Sequence, residues 1–184
     1  MNALASPGQL RASFLRWALV LVPLTLLLGR MSSLMGSPNS DWFDSLVKPA
    51  TFPPPATFAI VWTVLYVLMG LAVAMIAAAR GAAGRGVALA VFAAQMVLNL
   101  VWSPVFFGMH RISGALYVLI ALDIAAIVTV LLFWKVRPRA ALLLAPYLLW
   151  ISFATLLNWQ FLDANPDADG KSDAPSVHRI ELGS

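Results

Sequence analysis

The chain has 184 residues, of which 61% are hydrophobic and 11% are charged, with a formal net charge of +4 and no cysteine. Soluble domains carry about 25% charged residues, so this composition, with a mean hydropathy of +0.85, predicts an integral membrane protein. The lack of a thiol excludes disulfides, thiolate metal sites and cysteine nucleophiles. The basic residues lie at predicted helix ends, which is typical of membrane topology, and we therefore expect no nucleic-acid partner.

Five apolar stretches are each about long enough to cross a bilayer, whose hydrocarbon core of about 30 Å needs roughly 20 helical residues. The apolar runs are continuous, which favours helices over a β-barrel. The sequence therefore predicts an all-α integral membrane protein built as a five-transmembrane-helix bundle. In chain order, the predicted helices cover residues 14–28, 55–80, 87–107, 112–134 and 140–162.

Residues 14–162 are expected to form one transmembrane domain, between a polar segment at 1–13 and a disordered polar tail at 163–184. The first stretch is short and follows basic residues, so a signal peptide is an alternative. No clear small-residue cleavage site follows it, which favours a retained helix kinked at Pro23. Near the membrane, seven Lys and Arg residues lie on the N-terminal side and three on the other. The positive-inside rule then places the N terminus in the cytoplasm.

The segment between the first two predicted helices is rich in aromatic residues and proline. It contains Trp42, Phe43 and Pro54 and leads directly into a helix that carries Trp62 and Tyr66 near its start. A loop of this composition at the mouth of a helical bundle predicts a lid over a pocket.

Polar and aromatic side chains share faces of three predicted helices, because they recur at the i, i+3, i+4 and i+7 spacings of a helix. Lipid offers amides no hydrogen-bond partner, so these faces should point into the bundle. They either join neighbouring helices or line a pocket for a flat aromatic ligand that the rings stack on and the amides orient. The residues are Trp62 and Tyr66; Gln95, Asn99 and Trp102; and Tyr147, Trp150, Ala154 and Asn158.

The residues for conventional catalysis are scarce. The chain has two histidines, His110 in a connection and His178 in the tail, so we expect no metal site, no hydrolase triad and no cofactor. Asp123 falls near the middle of the fourth predicted helix. An ionisable group there is either functional or hydrogen-bonded to a neighbour, within the bundle or across a dimer.

An ordered set of motifs resembles the tryptophan-rich sensory protein / translocator protein family (TspO/MBR, the peripheral-type benzodiazepine receptor family). The matching residues lie in four groups: Trp42-Phe43 with Lys48-Pro49 and Pro53-Pro54; Trp62-Thr63 with Leu65-Tyr66; Gln95, Asn99, Trp102 and Pro104; and Pro146-Tyr147, Trp150, Phe153-Ala154 and Leu157-Asn158.

The resemblance implies a five-helix bundle, commonly a homodimer, whose pocket binds porphyrins such as protoporphyrin IX as ligands. By position, the pocket would be lined by Trp62, Asn99, Trp150 and Ala154, with Trp42, Phe43 and Pro54 in the lid. No catalytic residue is assigned, although Trp62 and Trp150 are candidates for any photochemistry. The family's cholesterol-type pattern needs a Tyr followed by Lys or Arg near the end of the fifth helix. Residues 156–163 contain neither, so we do not expect sterol binding.

We therefore interpret the chain as a membrane sensor or carrier that binds tetrapyrroles, in a multi-pass protein of a bacterial cell membrane. The alternatives are a light- and oxygen-dependent enzyme that degrades porphyrin, a porphyrin transporter, and a helical assembly factor without a ligand. Transport ranks below the first two because the sequence shows no inverted repeat or paired broken helices.

Overall fold

The structure, a computed structural model, describes residues 7–36 and 38–170, and within these ranges the chain forms helices and no strand. Besides the α-helices, these residues form a π-helical turn, Pro104–Gly108, and a 3₁₀ turn, Pro166–Ala168. The α-helices are α1 (Pro7–Met35), α2 (Asp41–Ser45), α3 (Pro55–Ala78), α4 (Arg85–Ser103), α5 (Ile112–Val136), α6 (Pro138–Leu143) and α7 (Ala145–Ala164).

Five helical segments among the described residues are long and apolar enough to span a membrane. They are α1, α3, α4 with its π-helical turn, α5, and α6 together with α7. This confirms the prediction of an all-α membrane protein with five spanning helices.

α1 is longer than the predicted stretch at 14–28. It runs for 29 residues, keeps Pro23 inside, and includes residues 7–13 of the segment that we predicted as polar at 1–13. The apolar run of the sequence ends at Gly29-Arg30, but the helix continues beyond it because its next turn contacts other helices. The Ser32 hydroxyl donates to the Leu100 carbonyl of α4 at 2.7 Å. Packing against the bundle therefore extends α1 beyond its apolar core.

α4 ends at Ser103, and Pro104 begins a π-helical turn over the last part of the stretch predicted as helix at 87–107. The Met109 N–H donates to the Pro104 carbonyl at 2.9 Å, which is the five-residue spacing of a π-helical turn. The wider turn buries Phe106 under the segment that joins α1 to α3.

The fifth predicted helix is broken, although its continuous apolar composition predicts a single helix over residues 140–162. α6 ends at Leu143 and α7 begins at Ala145, with Leu144 between them. Pro146 has no N–H to donate to the preceding turn and its ring crowds that turn. Hydropathy does not detect this break, because the stretch remains apolar throughout.

Two apolar clusters hold the helices together. The larger lies along the bundle and includes Met69, Ile76, Leu119, Phe133 and Ile151. The smaller closes one end of the bundle, and we call it the lid cluster. Its buried members are Trp42, Phe43, Leu46, Phe106, Ile112, Ala115, Leu157 and Phe161.

The predicted tail at 163–184 needs a correction at its beginning. α7 continues to Ala164, and residues 165–170 fold back through the 3₁₀ turn against the lid cluster, where Ala168 packs. Side-chain and backbone hydrogen bonds described below hold this segment. The rest of the predicted tail, residues 171–184, lies outside the described residues.

Candidate functional site

The connection between α1 and α3 folds inward as a lid, which we define as residues 41–54. The Ser40 hydroxyl caps α2 by accepting from the Phe43 N–H at 3.2 Å, as N-cap serines do. One helical turn then directs Trp42 and Phe43 into the protein, where both are buried. Pro54 is exposed and directly precedes α3.

The lid is joined to α7 by a row of aromatic rings. The Phe52 ring lies 5.4 Å from that of Phe58, which in turn lies 5.7 Å from Trp150, measured between centroids. Edge and tilted ring contacts of this kind contribute about 0.5–1.5 kcal/mol each beyond area burial. The Phe43 ring adds contacts at 5.1–6.3 Å with Phe107, Phe161, Phe52 and Phe106.

Lys48 fixes the turn that follows α2. Its ammonium donates to the carbonyls of Phe43 and Leu46 and lies 3.9 Å from the centroid of the Phe43 ring, a cation–π contact. Partial burial lowers the pKa of Lys48, while the nearby Asp44 carboxylate raises it and offsets part of that effect. The lid therefore has an internal brace of its own.

A second brace comes from the C-terminal side of α7, and we call residues 165–170 the latch. The Asn165 amide pairs with the backbone of Val47, accepting from its N–H at 2.8 Å and donating to its carbonyl at 3.0 Å. It also donates to the Phe161 carbonyl at 2.9 Å. Sequence reasoning missed Asn165, although an Asn-Pro pair after a helix is a known signal of a turn.

The latch also holds the tip of the lid cluster. The Trp42 indole N–H donates to the Ala168 carbonyl at 3.3 Å, and its ring stacks on His110 with centroids 4.4 Å apart. The Gly170 N–H donates to the His110 carbonyl at 2.8 Å. The lid, the connection after α4 and the latch thus form one hydrogen-bonded cap.

Four of the predicted pocket residues meet in a buried polar network between α3, α4 and α7. The Tyr147 hydroxyl donates to Gln95 Oε1 at 2.7 Å and accepts from Asn99 Nδ2 at 3.3 Å. The Tyr66 hydroxyl donates to Asn99 Oδ1 at 2.8 Å. The faces that the sequence predicts to point inward do so, and their polar groups join three helices.

Two buried donors near this network have no acceptor among the described residues: Gln95 Nε2 and Trp150 Nε1. A buried N–H without a partner costs about 1–3 kcal/mol, and such groups in folded proteins call for an explanation. Both belong to residues that the sequence predicts to bind a ligand, and each could donate to a ligand acceptor.

Trp102 and Asn158, also predicted as pocket residues, are bonded to each other. The Trp102 indole donates to Asn158 Oδ1 at 3.1 Å, and Asn158 Nδ2 donates to the Ile112 carbonyl at 2.9 Å. The pair thereby links α4, α5 and α7 below the lid cluster. Both the oxygen and the nitrogen of the Asn158 amide have hydrogen-bond partners on other helices. The amide therefore joins helices in this structure.

An apolar groove of about 400 Å³ opens between α3 and α7. Of the predicted residues, Trp150 lines it, while Trp62 stacks on Tyr66 with centroids 5.4 Å apart. Ala154 is half-buried and packs against the main apolar cluster one turn beyond Trp150. The groove is lined by Ile60, Val61, Val64, Leu65, Pro146, Leu149 and Trp150.

Asp123 lies apart from these groups, on the side of α5 that faces α7. Its carboxylate oxygens accept from the hydroxyls of Thr155 at 2.7 Å and Ser152 at 3.3 Å. Of the alternatives that the sequence left open, the structure shows the hydrogen bond to a neighbouring helix within the bundle.

In residues 7–36 and 38–170, no group of three His, Asp or Glu side chains is arranged to hold a metal ion.

The fold and site together define a five-helix membrane protein with a lid over one end, a buried polar network and an apolar groove between α3 and α7. The sequence profile of the TspO/MBR family matches residues 18–163. The chain belongs to the TspO/MBR family.

Three curated relatives illustrate this membership. The chain is 36% identical to Protein CrtK of Rhodobacter capsulatus over 126 residues, which cover 68% of this chain and 79% of that protein. It is 40% identical to Tryptophan-rich protein TspO of Chlorobaculum tepidum over 136 residues, or 73% and 86%. It is 38% identical to Translocator protein of Sus scrofa over 120 residues, or 64% and 71%. Membership supports a membrane sensor or binding role.

Proposed function

We propose that this protein is a membrane sensor or carrier that binds a porphyrin, such as protoporphyrin IX, between α3 and α7 beneath the lid. The observation that carries the proposal is the pair of buried donors without acceptors, Gln95 Nε2 and Trp150 Nε1. Trp150 lines the groove beside the Phe58 ring, and Gln95 belongs to the polar network through Tyr147. Binding would supply the acceptors that these donors lack.

A porphyrin has the chemistry that this region would accept. Its flat apolar ring stacks on indole and phenyl faces, and its carboxylates and ring nitrogens accept hydrogen bonds. The groove volume of about 400 Å³ lies in the usual range for small-molecule sites, about 300–1,000 Å³.

Two of the relatives reported above are from bacteria, which supports a bacterial cell membrane as the location.

The direct test is a titration of the purified full-length protein in detergent with protoporphyrin IX, followed by tryptophan quenching. We expect Trp150→Ala to weaken binding about tenfold or more, and Trp150→Phe only a fewfold because an aromatic face remains. The matched control is Trp134→Ala, since Trp134 is 53% exposed near the far end of α5. Equal affinities for the Trp150 and Trp134 variants would contradict the proposal.

The same samples distinguish the alternatives that the sequence left open. An irreversible change of the porphyrin spectrum under light and oxygen would identify the degrading enzyme, whereas a binder returns the porphyrin unchanged. The homodimer that the resemblance implies also stays a prediction, which the mass of the protein–detergent complex measured by light scattering will test.

A further inference from the structure

The end of the bundle opposite the lid carries a cavity that the proposed function does not use. It has a volume of about 270 Å³ and is formed where the first turns of α1, the last turns of α3 and the α5–α6 junction meet. Three arginines line it, together with four apolar residues. We call it the arginine cavity, and its lining is Arg11, Arg137, Arg139, Leu10, Phe14, Met75 and Ala78.

The three arginines come from two distant parts of the chain, Arg11 in α1 and Arg137 with Arg139 at the α5–α6 corner. Backbone hydrogen bonds define that corner. The Arg137 N–H donates to the Phe133 carbonyl at 2.7 Å, and the Arg137 carbonyl accepts from the Ala140 N–H at 2.9 Å. Pro138, which follows, keeps Arg137 extended. The corner between α5 and α6 therefore holds Arg137 and Arg139 on the cavity, opposite Arg11 of α1.

Among residues 7–36 and 38–170, no acidic side chain lies at this end of the bundle. The sequence has no Asp or Glu in residues 1–40, 45–122 or 124–162, and Asp123 is engaged in the middle of α5 by Thr155. Three like charges around one cavity repel each other, although water screens them. An external anion would remove this repulsion.

Position and lining together indicate what kind of anion fits. The cavity lies where three membrane-spanning helices begin or end, which is the depth of lipid headgroups. Guanidinium groups bind phosphate oxygens in a bidentate manner, and basic pockets between spanning helices are suited to anionic headgroups. Its apolar lining, led by Phe14 and Met75, suits an acyl chain better than a soluble ion.

Arg85, another basic residue at this end, shows the contrast. Its guanidinium donates to the carbonyls of Ile76 and Ala77 at 2.9–3.2 Å and so caps the C terminus of α3. The donors of the Arg85 guanidinium are therefore engaged in hydrogen bonds within the protein. The three arginines of the cavity are instead exposed and available to a ligand.

We propose that the arginine cavity is a binding site for the phosphate headgroup of an anionic phospholipid, in the leaflet at the N-terminal end of α1. The site is separate from the groove between α3 and α7, and lipid bound there would tie together α1, α3 and the α5–α6 corner.

The test measures lipid binding to the full-length protein in detergent by native mass spectrometry, with phosphatidylglycerol and phosphatidylcholine as probes. We expect the wild-type protein to bind phosphatidylglycerol at least tenfold more tightly. The double variant Arg137→Gln/Arg139→Gln should lose about tenfold or more in that affinity. Arg137→Lys/Arg139→Lys should keep part of it, because charge remains while the bidentate geometry is lost.

The matched control is Arg16→Gln/Arg80→Gln, which removes two exposed arginines from the same end of the bundle but outside the cavity. We expect it to stay within threefold of wild type. A control loss as large as that of the cavity variant would overturn the site, since it would show general attraction to basic residues. Glycerol 3-phosphate that binds as tightly as phosphatidylglycerol would also overturn it, in favour of a soluble phosphate ligand.

Discussion

The Tyr147 hydroxyl stands at the centre of the buried polar network. It is the donor to Gln95 Oε1 and the acceptor for Asn99 Nδ2, so a single oxygen is hydrogen-bonded to two amides on α4. In the hydrocarbon of a membrane, these amides cannot form hydrogen bonds to water instead. The network therefore contributes to stability whether or not a ligand is bound.

The first prediction concerns this hydroxyl. Tyr147→Phe removes one oxygen, leaves Gln95 and Asn99 each short of a partner, and should lower the free energy of unfolding by about 1–2 kcal/mol. Reversible unfolding in detergent, followed by circular dichroism, measures the change. Tyr117→Phe is the control, because Tyr117 is 72% exposed, and an equal loss there would show that the network is not the cause.

The second prediction concerns Gly29 of α1. A Cβ at this position would overlap the Tyr66 ring, whose hydroxyl belongs to the network. Gly29→Ala should destabilise the protein by about 1–3 kcal/mol, because the ring must move in a packed core. Gly86→Ala meets nothing within 4 Å and replaces a poor helix former in α4, so it should be neutral or stabilising. Gly29→Ala should therefore lower the free energy of unfolding, whereas Gly86→Ala should leave it unchanged or raise it.

At the scale of elements, the lid and the latch act on each other over a long sequence separation. Asn165 joins α7 to Val47, 118 residues earlier, and Ala168 accepts from the Trp42 indole. A lid that is bonded to the latch at both Val47 and Trp42 opens only when both attachments break, so opening should limit how quickly a ligand beneath it leaves.

The third prediction tests the latch. Asn165→Ala removes three hydrogen bonds and leaves the Val47 backbone unpaired. It should speed protoporphyrin dissociation severalfold and make the lid more sensitive to a protease. The exposed Asp167→Ala, in the same turn, is the control. A dissociation rate that stays at the wild-type value would mean that the latch stabilises the fold without controlling the lid.

The fourth prediction concerns the lid itself. Trp42→Ala removes the ring that stacks on His110 and touches Phe106 at 5.7 Å. It should raise the dissociation rate of protoporphyrin more than it lowers the association rate, because interface changes act mostly on dissociation. Stopped-flow fluorescence measures both rates. Val47→Ala, whose side chain is 62% exposed, should leave both unchanged, and a similar response from the two variants would argue against a closing lid.

The same elements show what the sequence can and cannot predict. Long apolar runs predict the spanning helices, and helical spacing predicts that Gln95, Asn99 and Tyr147 face inward, as they do. The break before Pro146 is invisible to hydropathy, since both sides are apolar. The latch is invisible for a different reason: its polar composition is typical of a tail, and its order depends on contacts with residues over a hundred positions away.

On the scale of the whole molecule, charge is distributed unevenly between the two ends. Within the part of the chain that the structure describes, the arginine-cavity side has seven Lys and Arg residues and no acidic residue. The lid side has Asp41, Asp44 and the three carboxylates of residues 163–169. By the positive-inside rule, the side of the membrane with more Lys and Arg residues is the cytoplasmic side. It predicts that the lid faces away from the cytoplasm.

The fifth prediction tests this orientation by labelling introduced cysteines. Because the chain has no native cysteine, all labelling of the protein comes from the introduced residue. Ala50→Cys in the lid should react with a membrane-impermeant maleimide in intact cells. Ala83→Cys, between α3 and α4, should react only after the membrane is opened. Both positions are exposed. The reverse pattern would place the N terminus outside and show that the charge difference does not set the topology.

The way α1 is attached has a practical consequence for anyone who purifies the protein. Three serine or threonine hydroxyls join it to the bundle by bonds to backbone carbonyls: Thr25 to Tyr66, Ser32 to Leu100, and Ser103 to Gly36. Such bonds hold in hydrocarbon, where competing water is absent, and weaken in a micelle that admits water. A released α1 would remain helical, so helix content does not report whether α1 is still in place. A detergent for this protein should therefore be chosen by a measure of contact between helices.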